Sequence, residues 1–296
     1  MKHNVLITGG TGFIGKELAQ YLIANGHQVA ILTRRKKEIP FKQYLWDIEK
    51  GEIDPEAIEF STAIIHLAGE NISARRWSKM QKRKIVRSRI QSTILLYKSI
   101  ASAKKKPSVI ISASAVGYYG AVTGDDIFTE ESPQGQDFLA ETVGKWEKEM
   151  LRFSSDLGIR TAILRLGVVF SPNDGALKKM LLPLKFGFAA PIGKGRNYIP
   201  WISIHDLMRL FVFALENKSV SGIYNATSPT HFTNRELMKE IAQIKHKFFI
   251  PFGVPAFLLK LVFGEMSCVI LEGSRVSSKK IRQSGFSFDD ELADIF

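Results

Sequence analysis

The sequence predicts an α/β protein in which a doubly wound parallel sheet is built mainly by the first half of the chain and a smaller lobe by the second half. Three observations support this fold class. Short apolar runs alternate with helical patterns over the first half, as expected for parallel strands covered on both faces. A glycine-rich turn follows the first of these runs. The second half loses the alternation and is richer in proline and phenylalanine.

The elements of the first half are predicted from periodicity. Each predicted strand is a short apolar run, and each predicted helix repeats apolar residues at helical spacing. Gly26 is a typical helix-closing residue. The predicted strands cover residues 4–8, 28–33, 63–69, 108–114 and 160–167. The predicted helices cover residues 13–26, 77–103 and 138–157.

The second half is predicted as shorter elements. Thr233 and Glu236 are three residues apart, which indicates a capping box at the start of a helix. The apolar tail at 248–273 is broken by prolines and glycines, and we expect it to form short buried helices. The other elements are a loop or hairpin over 183–195, a helix over 204–217 and a strand over 222–227.

Two domains are expected from this organisation. Residues 1–172 would form a dinucleotide-binding domain, to which residues 203–227 return. Residues 173–296 would form the smaller substrate lobe. His205 and Asp206 are expected to tie the two lobes together.

Composition excludes several classes of function. The net charge is +12, but the basic clusters at 34–37 and 104–106 are typical of solvated loops, so we expect no nucleic-acid partner. No apolar run reaches about 18 residues and the N-terminus does not resemble a signal peptide, so we expect no membrane partner. A single cysteine, Cys268, excludes an intrachain disulfide and a cysteine-based zinc site. We interpret it as a core residue and expect a cytoplasmic protein.

The glycine turn GGTGFIG (9–15) lies between the first strand and the first helix. Its spacing, G-x-x-G-x-x-G, lets the backbone turn tightly and approach a pyrophosphate. The N-terminus of the following helix then offers free N–H groups to the anion. A second predicted strand follows Gly26, which supplies the context that such a motif requires. We therefore predict dinucleotide binding.

The end of the second strand indicates which dinucleotide is bound. An acidic residue here would bind the 2′-hydroxyl of NAD, but the strand ends in Thr33, Arg34 and Arg35. Arginine binds phosphate with a planar fork and stacks on adenine, so these residues favour the 2′-phosphate of NADP(H). The alternative is a pair of solvated arginines.

With these residues in hand, the chain resembles the extended short-chain dehydrogenase/reductase superfamily, whose fold is the Rossmann fold. The segments that carry the resemblance are GGTGFIG (9–15), HLAGEN (66–71), SRIQST (88–93), SASAVGYYG (112–120), RLGVVFSP (165–172) and WISIHDL (201–207). More narrowly, the chain resembles an atypical NAD(P)-dependent epimerase/dehydratase-like subfamily, sometimes labelled cell-division inhibitor. The features of that subfamily are AGENI (68–72), RRW (75–77), KWE (145–147), PIGKGRNYIPWI (191–202) and the tail at 263–288.

The resemblance implies a cofactor site and a small, sugar-like substrate. Asp47 is placed by analogy near the adenine amino group, and Lys84, Arg89 and Arg165 within reach of the cofactor crevice. The three cations are equally compatible with structural ion pairs. The other implied cofactor-binding residues are Gly9, Thr11, Gly12, Phe13, Ile14, Gly15, Leu67, Ala68, Gly69 and Glu70.

The superfamily mechanism needs a serine, a tyrosine and a lysine, and this sequence departs from it. Ser114 matches the serine. The expected tyrosine falls at Phe138 or Leu139 and the expected lysine at Thr142 or Val143, and no tyrosine in the chain has a lysine four residues later. The usual proton carrier is therefore missing from the sequence.

Two hypotheses follow from this departure. In the first, the protein is an NADP(H)-dependent oxidoreductase or epimerase with an atypical site. Ser114 and one of two neighbouring tyrosines, Tyr118 or Tyr119, are its catalytic candidates, and pocket-lining aromatics are the alternative for the tyrosines. In the second, the protein binds NADP(H) as a regulatory sensor. A monomer or a homodimer is compatible with either.

Overall fold

A computed structural model describes residues 2–172 and 174–296. Its centre is an eight-stranded sheet in the order β8-β7-β6-β5-β1-β2-β3-β4. All pairs are parallel except that between β3 and β4, the short edge strand. The strands are β1 (Asn4–Thr8), β2 (Gln28–Thr33), β3 (Lys42–Asp47), β4 (Glu52–Ile53), β5 (Ala63–His66), β6 (Val109–Ala115), β7 (Arg160–Leu166) and β8 (Gly222–Ala226).

The order of the strands places a ligand crevice at β1. The chain builds outward from β1 through β2 in one direction and then restarts through β5 in the other. The carboxyl ends of β1 and β5 lie side by side, with Thr8 paired to His66 in the register. A doubly wound sheet binds ligands outside the strand ends at such a reversal point.

Helices cover both faces of the sheet, which explains the unbroken apolar strands. Val5 and Ile7 of β1 belong to the core cluster under α1 and α6, whereas Leu6 belongs to the cluster under α3 and α4. The helices are α1 (Phe13–Ala24), α2 (Pro55–Phe60), α3 (Lys79–Ser102), α4 (Phe138–Ser155), α5 (Gly175–Met180), α6 (Ile204–Glu216), α7 (Asn234–Ile244), α8 (Ala256–Phe263), α9 (Cys268–Leu271) and α10 (Lys279–Gln283).

The predicted strands and helices of the first half are confirmed to within a few residues at their ends. Sequence reasoning missed β3, because this strand near the sheet edge has no continuous apolar run. Its signal is an alternation instead: Tyr44 and Trp46 are buried while Leu45 between them is exposed.

The second half builds a third core cluster around Trp201 and Leu237. The capping box is present: the Thr233 hydroxyl accepts from the Glu236 N–H, and the Glu236 carboxylate accepts from the Thr233 N–H. Residues 183–195 do not form a hairpin. Instead, Phe188–Ala189 pairs in parallel with Phe248–Phe249.

The apolar tail forms short helices, as predicted, but the prediction that they are buried was wrong for α8 and α9. Helix α8 has no buried residue, and Phe257 and Leu261 on it are 67% and 72% exposed. Cys268 is only partly buried, so it is not the core residue that was expected. Seven of the eight residues of α8 are apolar, and the described part of the lobe buries none of them.

The end of the chain is fixed to α6 by a buried carboxylate. Asp206 accepts hydrogen bonds from the backbone N–H groups of Asp289 and Asp290 and pairs with Arg209. His205 lies beside Asp290, at 3.1 Å. In residues 2–172 and 174–296, no helix is long and apolar enough to cross a membrane.

Candidate cofactor crevice and active site

The glycine turn is built so that two positions tolerate only glycine. Gly9 has a φ of +71°, and a Cβ there would lie 2.8 Å from the carbonyl oxygen of Leu67. A Cβ on Gly15 would lie 2.4 Å from the carbonyl oxygen of Gly9. Gly12, in contrast, is exposed and would meet only the Gly9 oxygen, at 3.3 Å. Gly9 and Gly15 allow the turn to fold, and Gly12 leaves the outer surface of the turn open.

The N-terminus of α1 points an uncapped first turn at this surface. Gly12 is the N-cap residue and has no side chain to accept from the helix, and the first turn contains no acidic residue. Thr11, Phe13 and Ile14 beside it are all partly buried. Free N–H groups and the positive end of the helix dipole make such a terminus an anion site.

A buried network holds the two strands at the crevice in register. The Thr8 hydroxyl oxygen accepts from the N–H groups of Leu67 and Ala68, each at 3.2 Å, so its proton is left for His66 Nδ1 at 2.8 Å. His66 Nε2 then carries the proton and donates to the Thr93 hydroxyl at 3.1 Å, which donates to the carbonyl of Arg89. Only neutral histidine satisfies this chain of donors. Accordingly, burial lowers the pKa of His66 to about 4.

Leu67 and Ala68 are thereby fixed against the glycine turn, and Arg89 supports the residues after them. The Arg89 guanidinium lies under Gly69 and donates to the carbonyl of Glu70 at 3.1 Å. Burial lowers the pKa of Arg89 to about 10. Arg89 therefore holds the backbone of the crevice wall in place through Gly69 and Glu70.

The end of β2 forms a separate polar groove. Arg34 and Asp47 line an open pocket of about 520 Å³. Asp47 accepts from the N–H groups of Glu49 and Lys50, so its carboxylate closes a turn. Arg34 and Arg35 are exposed, and no side chain in the described part of the chain binds either guanidinium.

Two more of the predicted cofactor-binding residues are Thr33, at the end of β2, and Lys84, on α3. The buried Thr33 hydroxyl donates to the carbonyl of Arg35 at 3.0 Å, which shapes the loop that carries both arginines. Lys84 is exposed.

The serine segment leads to a carboxylate that sequence reasoning did not identify. Ser114, at 4% exposure, donates its hydroxyl proton to Glu147 at 2.6 Å. Glu147 projects from α4 and is also bound by Arg165 of β7 through two parallel bonds of 2.9 and 2.8 Å. Although burial opposes its charge, these bonds raise the pKa of Arg165 above its ordinary value. Arg165 thus ends in a buried ion pair with Glu147.

Arg165 extends the network to the tyrosine pair. Its third nitrogen donates to the Tyr119 hydroxyl at 3.0 Å, and Tyr119 donates to Asn225 at 2.6 Å. Burial raises the pKa of Tyr119 to about 12. The guanidinium also stacks on Tyr118, 3.4 Å from the ring centre. Tyr119 is 2% exposed, whereas Tyr118 is only partly buried and is the tyrosine that a ligand can reach.

The positions of the expected tyrosine and lysine are filled by residues without proton chemistry. Phe138 packs edge-on against Trp77, with ring centres 5.3 Å apart, and lies beneath the ammonium of Lys82. Thr142 uses its hydroxyl to bind the carbonyl of Phe138.

The network residues were missed because they are distant in sequence. Glu147, Asn225 and His66 become neighbours of the site residues only through the sheet. The one sequence signal was the buried polar strand end: His66 closes an apolar run, as Ser114 and Arg165 do. A polar group at such a position needs a partner from a neighbouring element.

Comparisons with known proteins agree with this architecture. Residues 5–227 match the NAD dependent epimerase/dehydratase family, and residues 254–292 match a domain of unknown function, DUF1731. The Bacillus subtilis epimerase family protein YfhF is 38% identical in an alignment of 289 residues that covers 96% of this chain and 93% of YfhF. A crystal structure of human epimerase family protein SDR39U1 (isoform2) with NADPH superimposes with a TM-score of 0.87 and 32% identity over 99% of this chain and 97% of that one.

A second solved structure carries a substrate class in its name. It is the nucleoside-diphosphate sugar epimerase from Corynebacterium glutamicum, with a TM-score of 0.79 and 29% identity over 100% of this chain and 57% of that one. The Rossmann fold and the resemblance to epimerase-like members of the short-chain dehydrogenase/reductase superfamily are thus confirmed. The matches over most of its length show that this chain belongs to the NAD dependent epimerase/dehydratase family.

Proposed function

We propose that this chain binds NADP(H) in the crevice beyond the carboxyl ends of β1, β2 and β5. The observation that carries the proposal is the glycine turn beside an uncapped helix, in which Gly9 and Gly15 admit no Cβ and Gly12 leaves the surface open. The NADPH in the human relative's structure supports the same cofactor.

Each part of the cofactor has a fitting group on this chain. The diphosphate fits the N–H groups of the first turn of α1, at Phe13 to Gly15. The 2′-phosphate fits the unpaired Arg34 and Arg35, and the adenine fits the groove beside Asp47. The backbone of Leu67 to Gly69 would line the nicotinamide half. When bound, the nicotinamide supplies hydride transfer.

The cofactor preference is tested by replacing Arg34 with alanine. We expect NADPH affinity to fall by about 1–3 kcal/mol, because a charged hydrogen bond to the 2′-phosphate is lost, while NADH affinity stays the same. Isothermal titration calorimetry with both nucleotides measures this. Lys37→Ala, an exposed neighbour, is the matched control. Equal losses for NADPH and NADH in Arg34→Ala would contradict the assignment.

The proposed chemistry is oxidoreduction or epimerisation of a small, sugar-like substrate. Ser114 would contact the substrate oxygen: during oxidation its hydroxyl oxygen would take the proton of the substrate hydroxyl while its own proton passes to Glu147 along the existing 2.6 Å bond, and reduction would reverse both transfers. The two bonds from Arg165 hold the Glu147 carboxylate in place. Tyr118 would form the wall of the pocket over the same guanidinium.

An open pocket of about 850 Å³ has a lining that favours an anionic substrate. It lies between the segment after β6 and the C-terminal lobe, and it carries three cationic side chains, Lys194, Arg196 and Arg235, against one carboxylate, Asp125. The name of the Corynebacterium glutamicum relative points to the same class, a sugar attached to a nucleoside diphosphate.

Measuring turnover distinguishes such an enzyme from a sensor that binds NADP(H) without reacting. With NADPH and a panel of carbonyl and nucleotide-sugar substrates, Ser114→Ala is expected to lower kcat by about 100-fold or more, as for loss of a proton-transferring group. Tyr118→Phe keeps the ring and is expected to stay within about tenfold of the wild type. Both are measured by NADPH absorbance, with NADPH affinity as the control for an intact crevice. Full turnover in Ser114→Ala would remove this serine from the mechanism.

A second function, a cofactor-binding sensor without turnover, is favoured by two observations. The Ser114 hydroxyl donates its proton to Glu147, and Phe138 and Thr142 occupy the places of the usual tyrosine and lysine. Tight NADPH binding with no turnover across the substrate panel would select this function.

Three expectations stay predictions: the division into domains 1–172 and 173–296, the cytoplasmic location, and the monomeric or homodimeric state.

A further inference from the structure

The second lobe carries an exposed apolar surface that neither the crevice nor the network uses; one of its residues, Phe252, also lines the pocket of about 850 Å³. We call this exposed surface the tail surface. Its aromatic side chains are almost fully exposed: Phe248 and Phe252 at 83% each and Phe186 at 80%. Soluble domains rarely leave so many large apolar side chains together in water. The tail surface is formed by Phe186, Phe248, Phe252, Phe257, Leu261 and Val262.

The backbone joins the segments that carry this surface. Phe248 donates its N–H to the carbonyl of Gly187, the residue that follows Phe186. The same two segments meet again where Ile192 bridges Val254, just before α8. On α8, Phe257 and Leu261 are four residues apart, so they lie on one face of the helix.

The charges on these segments have one sign. Residues 175–205 and 246–263 contain no aspartate or glutamate. Exposed lysines stand directly beside the exposed aromatics, Lys185 next to Phe186 and Lys247 next to Phe248, and Lys260 lies on α8. Apolar side chains bordered by lysines are the pattern that interfacial segments present to anionic lipid.

We propose that the tail surface docks this protein onto an anionic phospholipid bilayer. Phe248, Phe252 and α8 insert their side chains at the headgroup boundary, and the lysines contact lipid phosphates. A second copy of the chain is a poorer occupant, because it would bring lysines against lysines with no carboxylate on either segment. The expectation of no membrane partner rested on the lack of a spanning run and of a signal peptide, and neither of these bears on a surface that contacts the headgroups.

Vesicle flotation of the full chain tests the proposal. We expect binding to unilamellar vesicles of phosphatidylcholine with about 30% phosphatidylglycerol, and at least tenfold weaker binding to phosphatidylcholine alone or in 0.5 M salt. The double variant Phe252→Ser/Phe257→Ser should lose at least tenfold in partitioning. Lys247→Glu/Lys260→Glu should lose a similar factor by charge alone.

Matched controls lie on other parts of the chain. Ile23→Ser removes an exposed apolar side chain on α1, and Lys105→Glu reverses a charge before β6; both should float like the wild type. Light scattering gives the oligomeric state of every variant. The proposal is overturned if the wild type does not float, if the two double variants float unchanged, or if the surface variants convert a dimer to a monomer without affecting flotation.

Discussion

Replacing Glu147 with alanine is expected to lower the free energy of unfolding by about 3–5 kcal/mol. Glu147 and Arg165 form a salt bridge whose side chains are 4% and 1% exposed. Without the carboxylate, a guanidinium stays buried with no counter-charge, and Ser114 loses its hydrogen-bond acceptor. Urea unfolding at pH 7 measures the loss.

The same helix provides a matched control for this prediction. Glu141 pairs with Lys145 on α4, but both side chains are more than half exposed, so Glu141→Ala should cost no more than about 0.5 kcal/mol. Replacing both partners of the buried pair, Glu147→Leu with Arg165→Met, should recover at least 1 kcal/mol relative to Glu147→Ala. A loss below about 1 kcal/mol in Glu147→Ala would mean that solvent reaches Arg165.

The main sheet could be predicted because its strands are buried on both faces. Val5, Leu6 and Ile7 are apolar without alternation, since neighbouring residues enter opposite core clusters. The glycine turn was predictable for a related reason, because its conformation is set locally by the type of residue. The edge strand β3 lacked the continuous apolar signal and was therefore missed.

The active site could be predicted only at its strand ends. Ser114 and Arg165 were recognised by resemblance, but Glu147 was not, because its role depends on how α4 packs across β6 and β7. Nothing within α4 distinguishes Glu147 from Glu141 except position on the helix face: Glu147 shares the stripe of Val143 and Trp146, whereas Glu141 faces water. A charged residue on an apolar stripe is thus a signal for a buried partner.

The tail was misread because hydrophobicity indicates a preference for burial and not the availability of a partner. Phe248–Phe249 pairs with a two-residue strand, and α8 has no buried residue. A helix that is apolar and yet exposed marks a surface for contact with something outside the chain, which is the basis of the bilayer proposal.

Acidification is expected to destabilise the fold through His66. Its pKa is about 4 in the folded protein, where burial disfavours the charged form, and about 6.5 in the unfolded chain. Between these values the unfolded state binds more protons, so the free energy of unfolding falls as the pH falls, by about 3 kcal/mol from pH 7 to pH 4. Protonation would also place a donor against the Thr8 hydroxyl, whose two lone pairs already accept from Leu67 and Ala68.

The His66 contribution is isolated by comparing urea unfolding of the wild type and His66→Gln at both pH values. The glutamine does not titrate, so the variant should be less stable at pH 7 but should lose about 3 kcal/mol less than the wild type on acidification. His3 and His27, whose pKa values are also lowered chiefly by burial, remain in both proteins and cancel from the difference. An identical pH dependence in His66→Gln and the wild type would show that the histidine accepts a proton without disturbing the network, and that the strand ends of the crevice are held together by other contacts.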